Sequence, residues 1–179
     1  LPDVAGNITP NASSRIYDDK GRLITTVHAE ENRIPVPISQ VPQNLQNAFV
    51  AAEDVRFYEH HGVDPRGILR AVFANLTSGN ATGQGGSTIT QQLARNAFLT
   101  QEQTLKRKLL EVVLAFEIES KYTKKQILEM YMNQIYFGQG CYGIQTAAHV
   151  YFGKDVKDLS LSQCAMLAGL PNSPNYYSP

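Results

Sequence analysis

Apolar side chains recur at helical spacing through most of the chain. Leu45, Ala48, Phe49 and Ala52 fall on one stripe, and Glu53 sits at the margin of that stripe rather than opposite it. Ile68, Leu69, Val72, Phe73 and Leu76 mark a second helix, with Arg66 and Arg70 among them. Leu105, Leu109, Val112 and Phe116 predict a core-facing side for a helix that starts near Thr100. Polar residues punctuate these runs. Asp64-Pro65 offers an N-cap followed by a proline at the first helical position. The pairs Thr88…Gln91, Thr100…Gln103, Thr123…Gln126 and Ser160…Gln163 all have capping-box spacing. Gly153, and Gly169 with Pro171, are the predicted stops. Only the N-terminal part departs from this period. Arg15-Ile16-Tyr17 and Leu23 to Val27 flank Asp18-Asp19-Lys20-Gly21, which predicts a hairpin. Pro35, Pro37 and Pro42 then make an extended connector that ends by starting a helix. The pattern predicts a mainly α domain with a small N-terminal β-hairpin.

Composition narrows the class. A chain of 179 residues suits one domain with a real core, and 42% hydrophobic against 18% charged residues is globular rather than disordered. Sixteen basic and sixteen acidic side chains give zero formal net charge, so no global field favours nucleic acid as a partner. No apolar run approaches the ~18–20 residues needed to span a bilayer; Leu109 to Ile118 is broken by Glu111 and Glu117. A start at Leu1 without methionine is how a piece of a longer protein would read, with any anchor upstream. Cys141 and Cys164 lack metal spacing and are expected to be free, buried thiols.

The densest chemistry lies in Glu53-Asp54-Val55-Arg56-Phe57-Tyr58-Glu59-His60-His61-Gly62. A carboxylate half-withdrawn from water has its charged form disfavoured, so its pKa rises toward a value useful to a general base. An ordinary solvated Glu-Asp pair is the alternative. Arg107, Lys108 and Glu111 stand at i, i+1 and i+4, so that the cations share a face with the acid. Taken alone, that is a surface salt bridge worth a few tenths of a kcal/mol, roughly. Glu119, two turns further on, serves as an exposed reference position.

The pattern Glu53-Asp54-x-x-Phe57-x-x-His60-x-Gly62 resembles the first signature of the bacterial peptidoglycan glycosyltransferases, the glycan-polymerising domains of class A penicillin-binding proteins and their monofunctional relatives. Gly86-Ser87-Thr88-x-x-Gln91-Gln92-x-x-Arg95-Asn96 resembles the second, and Arg107-Lys108-x-x-Glu111 the third. Lys124-x-x-Ile127-Leu128-Glu129-x-Tyr131-x-Asn133 resembles the fourth, and Tyr151-Phe152-Gly153 with Leu159 the fifth. The motifs follow in family order from Val41 to Pro179, with residues 1–40 as hairpin and linker outside the match.

The resemblance implies a lysozyme-like arrangement of two lobes around a cleft. It also implies a reaction in which the 4-hydroxyl of an incoming lipid II attacks the anomeric carbon of a glycan chain held on polyprenyl pyrophosphate, with inversion. Glu53 would be the base. Arg107 and Lys108 would face the departing pyrophosphate. Glu111 would orient them, or hold a divalent cation such as Mg or Mn. Ser87, Thr88, Gln91, Gln92, Arg95 and Asn96 would hold sugars and phosphates at a helix N-terminus. Asp54 would hold local backbone or a neighbouring base. For His60, structural hydrogen bonding and substrate contact are both open. The fourth and fifth motifs read as architectural. A membrane surface and moenomycin-type inhibitors are further implied partners, with a location on the extracytoplasmic face of a bacterial membrane. Residues 64–85 are expected to be a mobile segment beside that membrane. Two rivals remain: a lysozyme-like glycan hydrolase, which has no use for the cationic set of Arg95, Arg107 and Lys108, and a non-catalytic binding module, which has no use for both glutamates.

Overall fold

Helix starts in this chain are fixed by local hydrogen bonding. Thr88 accepts from the Gln91 amide through Oγ1 at 3.1 Å, while Gln91 Oε1 accepts from the Thr88 amide at 3.0 Å. Thr123 with Gln126 and Ser160 with Gln163 close the same reciprocal pair. An N-cap of this kind stabilises a helix by about 1 kcal/mol. The computed structural model describes residues 14–17, 20, 22–27, 33–78, 86–99 and 104–172. Among them run α1 (Gln43–Glu53), α2 (Pro65–Ser78), α3 (Ile89–Phe98), α4 (Leu105–Lys121), α5 (Lys124–Gln134), α6 (Ile144–Phe152) and α7 (Leu161–Gly169). Strands β1 (Ser14–Tyr17) and β2 (Leu23–Val27) pair antiparallel, as expected of the hairpin. Asp18, Asp19 and Gly21 of its turn lie outside the described residues, as do residues 79–85 of the segment expected to be mobile.

The proline-rich connector is held by side chains of α5 and α6. Asn133 accepts from the Val36 amide at 3.0 Å and donates to the Val36 carbonyl at 2.8 Å. Glu129 accepts from the Ile38 amide at 2.7 Å, and Thr146 from the Ile34 amide at 3.2 Å. The polar face of the fourth motif is therefore spent on an extended segment with no strand partner, a structural use in line with its architectural reading.

The core forms where α1 packs on α7 and α3 packs on α4 and α5. Phe49 meets Tyr131 edge to face at 6.0 Å and Phe137 at 6.1 Å. Leu45 and Phe49 are buried and Ala48 half-buried, but Ala52 is exposed, so the α1 stripe ends a turn earlier than its spacing predicts.

Helix α4 differs more. It starts at Leu105, capped by Thr104, whose side chain accepts from the Arg107 amide at 3.1 Å; Thr100 and Gln103 lie outside the described residues. Its predicted core face points outward. Leu105, Leu109 and Phe116 are exposed and Val112 is half-buried, while Glu111, Leu114, Ala115 and Ile118 turn inward. Two apolar stripes compete on this helix, and close packing decides between them. A side chain at Gly62, where φ is +86°, would come within 2.9 Å of the Ala115 carbonyl oxygen. Only Ala115, the one small residue of the inward stripe, lets the chain pass there, and only glycine can pass. Glu119 is also misjudged as exposed. Its side chain is 6% exposed and accepts from Thr90 at 2.7 Å and Lys124 at 2.6 Å, joining α3, α4 and α5. On α2 the bulky Leu69 and Phe73 point to solvent while Ala71 is buried. Cys141 and Cys164 are free and buried, as expected, and burial raises both thiol pKa values.

Replacing Asn133 by Ala leaves the buried Val36 amide without its acceptor, a change worth about 1–3 kcal/mol. Asn133→Ala is expected to lower the melting temperature by several degrees and to speed proteolysis near Arg33. An unchanged melting curve would show that the connector is not anchored through this side chain.

Candidate active site

Helix α1 ends at Glu53, and Asp54 caps it with its amide on the Val50 carbonyl. Asp54 then turns its carboxylate toward the rest of the site. Its Oδ2 lies 2.8 Å from His60 Nε2 and accepts from the Ile89 amide, the first of α3, at 3.1 Å. A negative charge at a helix N-terminus is favourable through the free amides and the helix dipole. An acceptor-only carboxylate requires His60 to carry its proton on Nε2, and His60 Nδ1 is buried without a partner among the described residues. Thr88 Oγ1 adds a donated bond to the Gly62 carbonyl at 2.6 Å. The first and second motifs thus form one hydrogen-bonded unit.

Glu53 is held beside that unit. Its Oε2 accepts from Gln92 Nε2 on α3 at 2.9 Å, and its Oε1 is out of solvent with no partner among the described residues. Burial raises the Glu53 pKa above its ordinary value; the Gln92 bond and the charge of Arg95 oppose the rise, and Asp54 adds to it. Gln92 is itself fixed from behind, because its Oε1 accepts from the Tyr131 hydroxyl at 3.2 Å. Glu53 faces a cavity of about 300 Å³ lined also by Asp54, Asp64, Gly67, Arg70, Ser87 and Thr88.

The third motif meets the cavity wall from α4, at Ser87. Glu111 is fully buried between Lys108 Nζ at 2.8 Å and Arg107 Nε at 3.2 Å. Lys108, about half exposed, also donates to Ser87 Oγ at 2.7 Å. A buried carboxylate is tolerable only when its charge is met; both cations meet Glu111, and Lys108 carries the group to the cavity wall at Ser87.

The candidate residues take different places around this cavity. Glu53, Asp54, Ser87 and Thr88 line the cavity, with Gln92 and Lys108 bonded to its wall. Gln91 is buried, and its amide oxygen accepts from the Thr88 amide in the cap. Asn96 is exposed and does not line the cavity. His60 is buried, with Nε2 against Asp54 Oδ2. Arg70 and Asp64 line the cavity without having been singled out for it. The signal was the Gly67-x-x-Arg70-Ala71 spacing, which puts two small residues and one cation on a single helix face. Asp64 is not available there, since Arg56 holds it at 2.6 and 3.1 Å.

A family model described as transglycosylase matches residues 20–179. The chain is 50% identical over 169 residues to penicillin-binding protein 1F of Bacillus subtilis, covering 94% of this chain and 23% of that protein. It is 52% identical over 181 residues to penicillin-binding protein 1A of Escherichia coli, covering 100% of this chain and 21% of that protein. With penicillin-binding protein 1A of Aquifex aeolicus it shares 50% identity over 178 residues, covering 99% and 24%. The chain therefore spans about a quarter or less of the length of these relatives.

Because the folded state raises the Glu53 pKa, it binds that proton more tightly than the unfolded chain does. The associated stability is full below the ordinary value of 4.5 and is lost as pH rises through the folded value. Glu53→Gln is never charged. It is expected to melt higher than the wild type at pH 7.5, with the difference shrinking as pH falls to 4. Equal melting temperatures throughout would mean that this carboxylate is not withheld from water.

Proposed function

The chain belongs to the transglycosylase family, and on that premise we propose that it polymerises lipid II into peptidoglycan glycan strands by inverting displacement of polyprenyl pyrophosphate. One observation supports this above the others: Glu53, a carboxylate whose pKa burial raises, lines a cavity whose wall residue Ser87 is bonded by Lys108 of an ion-paired cationic cluster. The 4-hydroxyl of lipid II attacks the anomeric carbon of the growing chain and passes its proton to Glu53. The bond from that carbon to the pyrophosphate oxygen breaks, and the leaving group takes the electron pair. Fixed cations lower the cost of this charge because they need no reorganisation at the moment of reaction. Arg107 and Lys108 meet it, oriented by Glu111, and Arg95 lies on the same side as Gln92 along α3.

The other carboxylates favour a single displacement. Asp54 bonds His60 and α3, Asp64 bonds Arg56, and Glu111 is paired at both oxygens. None stands free as a second nucleophile or proton donor, which a lysozyme-like hydrolase would need. A divalent cation would find its oxygens on the diphosphate itself. Among the described residues no cluster of three Asp, Glu, His or Cys side chains could hold one. Moenomycin-type inhibitors fit this reading as occupants of the same cleft.

A lipid-linked substrate has to be met at a bilayer, and no described helix is long and apolar enough to cross one. The outward faces of α2 and α4 suit a surface contact instead. Phe73 is 73% exposed and Leu109 69%, with Leu69, Leu105 and Phe116 also turned to solvent. Bulky apolar groups with nearby Arg66 and Arg70 can enter the headgroup boundary. Such a contact corresponds to a location on the extracytoplasmic face of the bacterial membrane. Leu76, expected to share the α2 face, has a side chain outside the described residues.

Polymer formation from lipid II tests the assignment. Glu53→Gln is expected to lower it by about 10²–10⁴-fold, the usual contribution of a positioned base. Arg107→Ala and Glu111→Gln are expected to cost about 10²–10³-fold each. Asp158→Asn, on an exposed turn, replaces Glu119 as the reference; effects no larger than at Asp158 would leave Arg107 and Glu111 as a stability pair only.

A second experiment concerns the bilayer. Phe73→Ser with Leu109→Ser is expected to weaken liposome binding severalfold while the melting temperature barely moves, since both side chains are already in water. Unchanged liposome affinity would remove these faces from the membrane.

A further inference from the structure

We propose that Tyr131 is a positioning residue for the base, acting through Gln92 to keep an amide N–H on the Glu53 carboxylate; this rests on Glu53 being that base. The fourth motif would then serve the chemistry as well as the architecture.

The geometry is a chain of two bonds across three helices. The Tyr131 hydroxyl on α5 lies 3.2 Å from Gln92 Oε1 on α3, and Gln92 Nε2 lies 2.9 Å from Glu53 Oε2 on α1. An amide has one end that accepts and one that donates. An ionised carboxylate only accepts, so it selects the orientation in which the Gln92 NH₂ faces Glu53. That orientation leaves Gln92 Oε1 pointing at Tyr131, which must donate. Tyr131 can always do so. It is fully buried, and burial keeps its hydroxyl protonated far above its ordinary range. The ring is held in turn by edge-to-face contact with Phe49, one helical turn before Glu53. Without the hydroxyl, the amide can reverse and present its oxygen to Glu53, which favours the protonated acid and spoils the base.

Other charges facing Glu53 come from Asp54 beside it, Arg95 on α3, and Asp64 and Arg70 across the cavity. Removing an uncharged hydroxyl leaves all of them in place. A shift in Glu53 titration would therefore report the amide rather than a changed field.

The test is a titration of the glutamate carboxyl carbons by ¹³C NMR on the full chain, with the Glu53 signal assigned by its absence in Glu53→Gln. Tyr131→Phe keeps the ring and its packing. It is expected to raise the Glu53 midpoint by about 0.5–1 pH unit, the span of one neutral hydrogen bond. The kcat for polymer formation should fall at pH values near and below the measured midpoint and recover well above it, with KM for lipid II little changed. Gln92→Met, which removes the amide, should raise the midpoint at least as far, and the double variant no further than Gln92→Met alone. An unmoved midpoint in either single variant, or additive shifts in the double, overturns the proposal. An unmoved midpoint in Gln92→Met overturns the proposal even if Tyr131→Phe does not fold. Should Glu53→Gln polymerise normally, the base assignment fails instead, and the NMR midpoints still read the relay.

Discussion

One carboxylate oxygen, Oδ2 of Asp54, carries the contact on which the site depends. It binds His60 and the first amide of α3 together, so the turn after α1 and the start of α3 cannot move apart. Everything placed along α3 inherits that register, including Gln92 against Glu53. The bond is local in effect but long in sequence, since Asp54 and Ile89 are 35 residues apart. Thr88 on the Gly62 carbonyl closes the same joint from the other side. Two short bonds and a glycine with no room for a side chain thus make one rigid corner from two motifs.

The buried Glu111 shows the opposite economy. A charge with no exposure is a liability for stability, and apolar residues of similar size would often serve the fold as well or better. What the acid supplies is direction. With Glu111 in place, Lys108 is drawn to Ser87 instead of ranging through solvent, and Arg107 is held to the same face. Glu53 carries a comparable strain, with a buried oxygen that has no partner among the described residues. Stability is given up at both acids, and in both cases the gain is a charged group held in one place.

What could be read from the sequence follows from the range of the forces involved. The caps at Thr88, Thr123 and Ser160 were legible because a residue and its partner three positions on decide them. The mainly helical class and the free cysteines were legible for similar reasons. The inward face of α4 was not, because periodicity marks both apolar stripes and only the close pass of Gly62 over Ala115 chooses between them. Glu119 looked solvated because Thr90 and Lys124 reach it from other helices. Among site residues, Glu53 and the α4 cations carried local signals. Arg70 had only the weak signal of its spacing from Gly67 and Ala71, and the Tyr131–Gln92 bond depends on how α3 and α5 dock, which no local spacing records.

The two native thiols make the chain convenient for spectroscopy. Cys141 and Cys164 are both buried and both poor thiolates, so maleimides and similar reagents in neutral buffer have little to attack. A single cysteine introduced on an exposed position such as Lys106 or Asp158 would carry the only readily reactive sulfur among the described residues. A fluorophore or spin label could then be placed at the start of α4 or just before α7 without first stripping the core of sulfur.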